Sequence, residues 1–458
     1  MQLKAIWTLW TLALLAATPA DAQTSQSDLQ QRAEDALVSD QPAETVRLAT
    51  QMLDTQPDSF IALYLLALGQ AELGAQQAAA VTSAKAYDVA MTEEARFQAA
   101  RLVAGTRFRA RQYTRAEIWL RRAANHAQTE EEFRNVASAY RASIDANPLS
   151  LQFAASIAPS DNVNNGSDDG VLTLEGIGLT FVLPEDRRSL SGVAFSASFE
   201  ARYRIWQGPQ HATYLIGSLA GETYALSSEA KDLLASSPNP AVRAVDGNDF
   251  ATVTAAFGFN HQQNNISTFG PVRFGMNLGT YWEGGERLVD FRDLTIEQII
   301  PIGQNSVVSL RAAQRDQTAL LPSILDSKTN DLSASYTRIL TNNDQLQLSI
   351  LARDKNAGVE SSFEEYQLGV GYALAEPIWG VQLSSSMQLG YRTFEEFTTT
   401  LDGRDDRFAS ADVTATFQDI SYFGFSPSLS VFVSRTDSTA EEISFSSVQV
   451  LFGVESNF

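Results

Sequence analysis

The feature that most limits the fold of this chain is a hydrophobic period of two, which begins at Leu149 and continues to the last residue. From Val193 to Ile205 the odd positions are all apolar or aromatic, whereas the even positions are mainly serine, glutamate and arginine. A β-strand points alternate side chains to opposite faces, so each such stretch predicts a strand with one apolar and one polar face. No run in the 458 residues approaches the roughly 18 apolar residues that a membrane-spanning helix needs. If the chain spans a membrane, it does so as a closed barrel, because only helices and closed barrels satisfy their backbone groups in lipid.

The number of strand candidates favours a barrel of about fourteen antiparallel strands. Fifteen candidates follow Leu149, and bacterial single-chain barrels have an even number of strands. Counting back from the final strand makes the stretch at 171–183 the first strand of the barrel. The segment at 151–158 is then predicted to be a connector or a partial strand.

In a membrane barrel the apolar face of each strand contacts lipid and the polar face lines the lumen. Charged residues on the polar faces are therefore predicted to point into the lumen: Glu200, Arg202, Arg204, Arg292 and Arg392. Connections of alternating length predict short periplasmic turns and longer surface loops.

The last strand candidate ends on an aromatic residue. Val448, Val450, Phe452 and Val454 share one side of it, and Phe458 closes the chain on the same side. This ending resembles that of outer-membrane β-barrel proteins, in which the final strand and its terminal phenylalanine are read by the barrel-assembly machinery. The resemblance implies that Phe458, together with Phe452, is an assembly signal.

Residues 1–22 have the features of a secretory signal peptide. Lys4 supplies a positive charge, the following apolar stretch is too short to span a membrane, and Ala20-Asp21-Ala22 is a small-x-small cleavage site. We therefore expect a mature chain that begins at Gln23. A signal peptide on a barrel-bearing chain implies a Gram-negative envelope, with the barrel in the outer membrane and the preceding domain in the periplasm.

Residues 23–147 are predicted to be helical and residues 148–458 to form the barrel, because Asn147-Pro148 disfavours a continuing helix. Thr45, Ala79 and Ala116 recur at spacings of 34 and 37 residues. This period indicates tetratricopeptide-like helix pairs, with a generic helical bundle as the alternative. Stacked pairs of this kind expose a concave groove that suits peptide or protein partners.

The third helix pair contains a predicted basic patch that consists of Arg107, Arg109, Arg111, Arg115, Arg121 and Arg122. Two interpretations stay open. The patch is either a solvated helix face or a basic surface that meets anionic lipid headgroups or the acidic barrel rim.

Composition and motifs exclude several function classes. A net charge of −21 argues against nucleic-acid binding, and the absence of cysteine excludes disulfides and thiolate metal sites. There is no Gly-x-Ser-x-Gly elbow, no phosphate-binding loop and no histidine pair at metal-ligand spacing, so we expect neither an enzyme nor a cofactor. A polar cluster at 161–170 predicts a loop, although its alternate oxygen ligands also suit Ca²⁺ at a spacing unlike that of an EF-hand.

One short motif carries a family resemblance. The segment Phe153-Ala154-Ala155-Ser156-Ile157-Ala158-Pro159-Ser160, with Asp161, Asn162, Val163 and Asn164 after it, resembles the strand and Asp-x-Asn-Val-Asn turn at the start of the barrel domain in the Slam family, the surface lipoprotein assembly modulators. The helical domain is shorter here than in the longer members. The resemblance implies translocation of a protein client, often a lipoprotein, across the outer membrane. It also implies that the helices engage a periplasmic client or chaperone, that the barrel provides the exit path and that no cofactor is needed.

The sequence thus predicts an outer-membrane translocator that displays a surface lipoprotein or secreted protein. The alternative is an exopolysaccharide export porin, which also joins tetratricopeptide repeats to a barrel, and a barrel hydrolase is a third candidate without supporting motifs. Lumen charges of mixed sign favour the translocator. The expected partners are membrane lipid, the assembly machinery and a periplasmic client or chaperone, and the barrel is expected to be a monomer.

Overall fold

The computed structural model describes residues 20–174, 179–398, 400, 402–417, 420 and 425–456. Residues 1–19, which hold most of the predicted signal peptide, and Phe458 lie outside the described residues, so both predictions stay predictions. The chain divides between Ala146 and Asn147 into two compact units, a helical unit and a barrel unit.

The helical unit contains seven described helices: α1 (Ala20–Val38), α2 (Pro42–Thr55), α3 (Phe60–Glu72), α4 (Gln76–Val89), α5 (Glu93–Arg109), α6 (Tyr113–Asn125) and α7 (Glu130–Ala146). Several begin at residues that suit a helix N-terminus. Pro42 opens α2, and the hydroxyls of Ser59 and Thr92 accept backbone hydrogen bonds at the starts of α3 and α5. Among the described residues, no helix is both long enough and apolar enough to cross a membrane.

The first helix of each of the three pairs ends in the same turn. Each turn has one residue with positive φ, between 56° and 79°: Asp40, Gly74 and Arg111. In each, the next amide donates to the carbonyl five residues back, which is the hydrogen bond of a Schellman C-cap: Gln41 to Ala36, Ala75 to Gln70 and Gln112 to Arg107. Five residues after each turn lies one fully buried small residue: Thr45, Ala79 and Ala116. The predicted helical repeat is therefore confirmed at the level of a shared turn and a shared packing position.

Small side chains dominate the core of the helical unit and let neighbouring helices approach closely. Among the described residues the largest fully buried side chain is that of Phe97 on α5, which packs with Leu120 on α6 and with Val136 and Tyr140 on α7. Full burial of one such aromatic side chain stabilises the folded state by about 2–3 kcal/mol.

The barrel unit contains sixteen described strands: β1 (Leu149–Ser160), β2 (Val171–Leu174), β3 (Leu179–Val182), β4 (Gly192–Gly208), β5 (His211–Leu226), β6 (Thr252–Ser267), β7 (Gly270–Glu283), β8 (Glu286–Ile302), β9 (Ser306–Ala319), β10 (Ser327–Ile339), β11 (Gln345–Asn356), β12 (Phe363–Ala373), β13 (Val381–Phe394), β14 (Arg404–Phe417), β15 (Phe425–Ser438) and β16 (Phe445–Ser456). β1 and β4–β16 form one closed antiparallel barrel in which β1 pairs with both β4 and β16. The predicted fourteen-stranded barrel after a helical repeat is confirmed.

The prediction of which strand starts the barrel was wrong. β1 at Leu149–Ser160 is a full barrel strand, and the stretch at 171–183 instead supplies β2 and β3, which pair only with each other. In sequence, Gly176 and Gly178 interrupt the alternation of that stretch. Strands of four residues cannot cross a bilayer, which needs about 9–11 residues per strand.

The barrel has an apolar outer face. Phe199 is aligned with Leu219, and Phe257 with Leu278, and all four side chains are more than 40% exposed. The residues between them in sequence point the opposite way and are small or polar, such as Ser198 and Ser218. A contiguous exposed apolar surface of this extent suits lipid rather than water. The barrel therefore has the construction of a transmembrane barrel.

The two ends of the barrel differ. Short connections lie at the end where β1 begins, for example 209–210, 268–269 and 303–305, and β16 finishes at the same end. The opposite end carries the long connections 161–191 and 227–251, and the second of these includes α8 (Ser228–Ala235) and α9 (Pro240–Arg243). A small apolar core joins these two loops and consists of Val163, Leu190, Leu226, Ala230, Leu234 and Val242.

Candidate functional site

The lumen wall from β8 to β14 carries a network of paired charges, and the buried Glu365 on β12 is its centre. The Glu365 side chain is 0% exposed. It accepts hydrogen bonds from Arg353 Nη1 at 3.3 Å, from Arg392 Nε at 2.6 Å and from the Gln367 side chain at 2.7 Å. A buried carboxylate costs several kcal/mol unless it is paired, and here two guanidinium groups compensate it.

The network continues across neighbouring strands through paired guanidinium and carboxylate groups. Arg353 donates two hydrogen bonds to Asp331, at 2.8 and 2.9 Å, and Arg315 donates two to Asp293, at 2.6 and 2.8 Å. In each case the partners are directly aligned on adjacent strands, so both side chains leave the same face of the sheet. Such bidentate pairs hold their side chains in one geometry.

Aromatic rings cover several of these cations. The Arg392 guanidinium lies 4.6 Å from the centre of the Phe363 ring and 5.4 Å from that of Phe408. Arg404 lies 3.7 Å from the centre of the Phe394 ring and is paired with Asp406, which is 1% exposed. Contacts of this kind are attractive by about 0.5–2 kcal/mol each. Cations, carboxylates and rings thus form one packed wall in the half of the lumen that leads to the long loops.

The wall around β1 and β16 is different. Small and hydroxyl-bearing residues line a hollow of about 400 Å³ there, including Ser156, Ser196, Ser198, Ser428, Ser430 and Gly453. One side of the lumen is therefore charged and aromatic, and the other is lined by small and hydroxyl-bearing residues. An arrangement with charges of both signs can contact a polypeptide of mixed sequence without selecting one charge.

Four of the five predicted lumen charges lie on the polar face. Glu200, Arg202 and Arg204 on β4 alternate with the outward Phe199 and Tyr203, and the Arg202 guanidinium lies 5.2 Å from the centre of the Tyr214 ring. Arg392 belongs to the Glu365 network.

The prediction that Arg292 points into the lumen was wrong, because it lies on the outer face of the barrel. It shares that face of β8 with the exposed Leu294 and Ile296, and it donates a 2.6 Å hydrogen bond to Asp316. Phe291 points into the lumen instead, under Arg315 and against Gly279, where any Cβ would collide with the ring. From Val289 to Ile302 β8 is aligned with β9 without a register shift, so Arg292 shares the face of Leu294 and Ile296 by simple alternation.

The Asp161–Asn164 motif forms a rigid loop rather than an open ion site. Asn162 donates to the Gly166 and Ser446 carbonyls at 2.9 and 3.1 Å, and its Oδ1 accepts from Gly166 N at 2.9 Å. Asn164 bridges in the same manner to the backbone of Asp186, Arg188 and Leu190. Asp161 Oδ1 accepts from Val448 N at 2.8 Å. In the part of the chain that the structure describes, no cluster of three histidine or carboxylate side chains offers a metal site.

The predicted basic patch divides into separate contacts. Arg107 donates to Gln77 and Gln112, and Arg115 also donates to Gln112. Arg109 lies 4.0 Å from Glu72, and Arg111 has the positive φ of the repeated turn. On the other side of the turn, Arg121 donates to the Tyr140 hydroxyl and Arg122 lies over the Trp119 ring. The six arginines therefore contact several different partners, and Arg107 and Arg115 share one of them, Gln112.

Two further features bear on the predicted sites. Phe452 is 55% exposed on the outer face of β16, whereas Phe458 lies outside the described residues. Sequence reasoning missed three acids of the lumen, the buried Glu365 and Asp406 and the partly buried Asp331. The alternating pattern in the sequence could have identified them, since each occupies the polar face of its strand.

No family model matches the chain, and no curated protein matches it. Among solved structures, the helical part is similar to the TPR2B domain of yeast Sti1 in its complex with pHsp70, at 15% identity and a TM-score of 0.25, covering 27% of this chain and 98% of that one. The barrel part is similar to OccAB4 of Acinetobacter baumannii, at 10% identity and a TM-score of 0.32, covering 68% and 98%. It is also similar to a bacterial polysaccharide outer membrane secretin, at 7% identity and a TM-score of 0.34, covering 67% and 98%. Likenesses at these TM-scores indicate nothing about function.

Proposed function

We propose that this protein is an outer-membrane translocator that moves a protein client, either a surface lipoprotein or a secreted protein, to the cell surface. The observation that carries the proposal is the lumen. Paired charges of both signs line one side of it and hydroxyl groups line the other, so a polypeptide meets hydrogen-bonding groups along its path. The resemblance of Asp161, Asn162 and Asn164 to the Slam entry turn supports the same function.

The arrangement of the chain supports a role for the helices in client capture. β1 begins at the short-turn end of the barrel, so the polypeptide enters the barrel unit from the helical unit at that end. Short turns are periplasmic in outer-membrane barrels. The helical repeat is then a periplasmic docking unit for the client or its chaperone, and the barrel is its exit path. A single closed barrel of fourteen strands needs no second copy to complete its wall.

The test is deletion of residues 23–146 in the native host. Surface proteins are labelled with a membrane-impermeant biotin reagent in wild-type cells, in cells without the gene and in cells that carry the deletion. The expected result is a set of proteins that lose surface labelling in both mutants, while the shortened barrel still reaches the outer membrane and remains heat-modifiable on gels. Unchanged surface labelling in cells without the gene would contradict translocation, and unchanged labelling with the deletion alone would contradict the role of the helices.

A second candidate, export of an exopolysaccharide, is favoured by the aromatic residues in the lumen, because sugars stack on ring faces. Phe363 and Phe394, however, already have guanidinium groups over their rings. Loss of a secreted polysaccharide in cells without the gene, with surface proteins unchanged, would establish this function instead.

A further inference from the structure

The seam between β1 and β16 is the most weakly paired junction of the barrel. Over the described residues, only three pairs are aligned there: Ser156 with Gly453, Ile157 with Phe452, and Ser160 with Gln449. Every other neighbouring pair of barrel strands has ten or more aligned pairs. On its other side β1 is aligned with β4 along its whole length, from Leu149 to Ser160. The weakness therefore belongs to the seam and not to β1 itself.

The sequence of β1 contributes to this weakness. Pro159 has no backbone N–H to donate, and it stands between the second and third aligned pairs. Proline inside a strand is otherwise confined to edges and bulges, because it removes a ladder hydrogen bond. Toward the short-turn end, the register of these pairs would place Phe153–Ala155 opposite Val454–Ser456, but none of these residues is aligned across the seam.

Among the described residues, the side-chain hydrogen bonds across the seam lie at the long-loop end. Asp161 accepts from Val448 N, Asn162 donates to Ser446 O, and Asp168 accepts from the Ser446 hydroxyl at 2.7 Å. The loop that supplies these groups packs on the small apolar core of 161–191 and 227–251. The seam is thus fastened at one end by a rigid loop and sparsely paired at the other.

The two sides of the seam offer different environments. On the lumen side lies the hydroxyl-lined hollow around Ser156, Ser428 and Gly453. On the outer side, Phe153 and Phe452 are exposed on the lipid face. A polypeptide that carries acyl chains needs both environments at once, because its backbone requires polar surroundings whereas its acyl chains are stabilised by burial in the bilayer. A continuous barrel wall would keep these two environments apart.

We propose that the seam opens from the short-turn end, hinged on the Asp161–Asn162 loop, and passes the acyl anchor of a translocated polypeptide from the lumen into the membrane. The partner is an acylated polypeptide, and this part of the inference rests on the proposed function. The opening itself does not, because it follows from the pairing of the strands.

The opening is tested by hydrogen exchange of the full-length protein in nanodiscs, with no client present. Amides of β1 from Phe153 to Ile157 and of β16 that face the seam, rather than β4 or β15, are expected to exchange about tenfold faster than those of β12 and β13, since fewer hydrogen bonds must break for a local opening. Equal exchange in these strands would overturn the proposal whether or not the protein is a translocator.

The passage of an anchor is tested by locking the seam. The chain contains no cysteine, so an engineered pair forms the only disulfide. Ser156→Cys with Gly453→Cys joins aligned residues across the seam, and Cα atoms of aligned antiparallel residues lie about 4.5–5.5 Å apart, within disulfide range. Ser430→Cys with Leu451→Cys is the matched control, because it joins aligned lumen-facing residues of β15 and β16.

The measurement is surface biotinylation of palmitate-labelled proteins in cells that carry each oxidised pair. We expect the seam lock to lower the labelling of dependent acylated proteins by about tenfold or more, with recovery on reduction, while the control pair has no effect and dependent proteins without acyl chains are unchanged. Full labelling with the seam locked, or equal loss of acylated and non-acylated proteins, would overturn the proposal. Absence of any dependent surface protein would instead contradict the proposed function.

Discussion

The side-chain amide of Asn162 donates a 3.1 Å hydrogen bond to the carbonyl oxygen of Ser446, which ties the loop after the first barrel strand to the last strand of the same barrel. The Asn162 side chain is 1% exposed and also exchanges two hydrogen bonds with the backbone of Gly166. One amide group therefore satisfies three backbone groups from two distant parts of the chain.

Replacement of Asn162 by alanine should destabilise the barrel. The change leaves the Gly166 and Ser446 backbone groups without their partner, and each buried unpaired group costs about 1–3 kcal/mol. We expect the free energy of unfolding to fall by about 2–4 kcal/mol, measured by urea unfolding and read as the loss of heat-modifiable gel mobility. Asp169→Ala, a change at an exposed site in the same loop, is the control. Equal urea midpoints for the two variants would show that Asn162 does not fasten the seam.

Replacement of Glu365 by glutamine should alter both stability and ion selectivity. Arg353 and Arg392 would lose a shared negative charge inside the lumen, and breaking a buried charge network of this kind costs about 3–5 kcal/mol. We expect a lower urea midpoint and a reversal potential in planar bilayers that shifts toward anion selectivity.

Glu364→Gln is a matched control for this experiment, because Glu364 is the preceding residue but lies on the outer face, where it bonds to Tyr366. This control should leave the reversal potential unchanged. The same shift from both variants would mean that Glu365 does not face the conducting path.

Replacement of Arg111 by glycine should stabilise the helical unit. Arg111 has φ of 57°, at the position where the second repeat has Gly74 with φ of 79°. Glycine adopts that left-handed conformation without strain, so we expect the free energy of unfolding to rise by about 0.5–1 kcal/mol. Urea unfolding followed by circular dichroism measures it. Arg101→Gly, at an exposed position within α5, is the opposite control and should destabilise by about 1 kcal/mol. A loss of stability in Arg111→Gly would show that contacts of the Arg111 side chain stabilise the turn by more than its backbone strain destabilises it.

Glu93 should contribute to the stability of the helical unit, and this contribution should be lost at acidic pH. His126 Nδ1 lies 2.6 Å from the Glu93 carboxylate, and this hydrogen bond, with a further contribution from Arg96, lowers the pKa of Glu93. A carboxylate with a lowered pKa stabilises the folded state above its unfolded-state pKa, and this contribution is lost as pH falls through the folded-state value.

Wild-type protein should therefore lose more thermal stability than Glu93→Gln between about pH 6 and pH 3. Glu131→Gln, at an exposed carboxylate in the first turn of α7, should behave as wild type. Parallel curves for wild type and Glu93→Gln would rule out the contribution of this pair.

Local patterns in the sequence were sufficient for the architecture. The spacing of Thr45, Ala79 and Ala116 marked the helical repeat, because buried positions on paired helices recur with the period of the repeat. The alternation after Leu149 marked a fourteen-stranded barrel with an apolar outer face, because side-chain direction in a strand follows from backbone geometry alone.

The residue type at a single position was not sufficient to assign a side chain to the lumen. Arg292 has the parity of Leu294 and Ile296 and lies with them on the outer face of β8, whereas the apolar Phe291 lies in the lumen. The arginines from Arg107 to Arg122 are neighbours in sequence, but the α5–α6 turn sends them toward different partners.

By itself, therefore, the sequence determined the class of the main elements and, for most barrel strands, the face that meets lipid, since both follow from interactions between near neighbours in the chain. Only the tertiary structure decided that β1 closes the barrel against β16, that Glu365 sits between two arginines, and that Asn162 fastens the seam. Those contacts join residues that are distant in sequence, and their formation depends on register and loop closure over the whole chain.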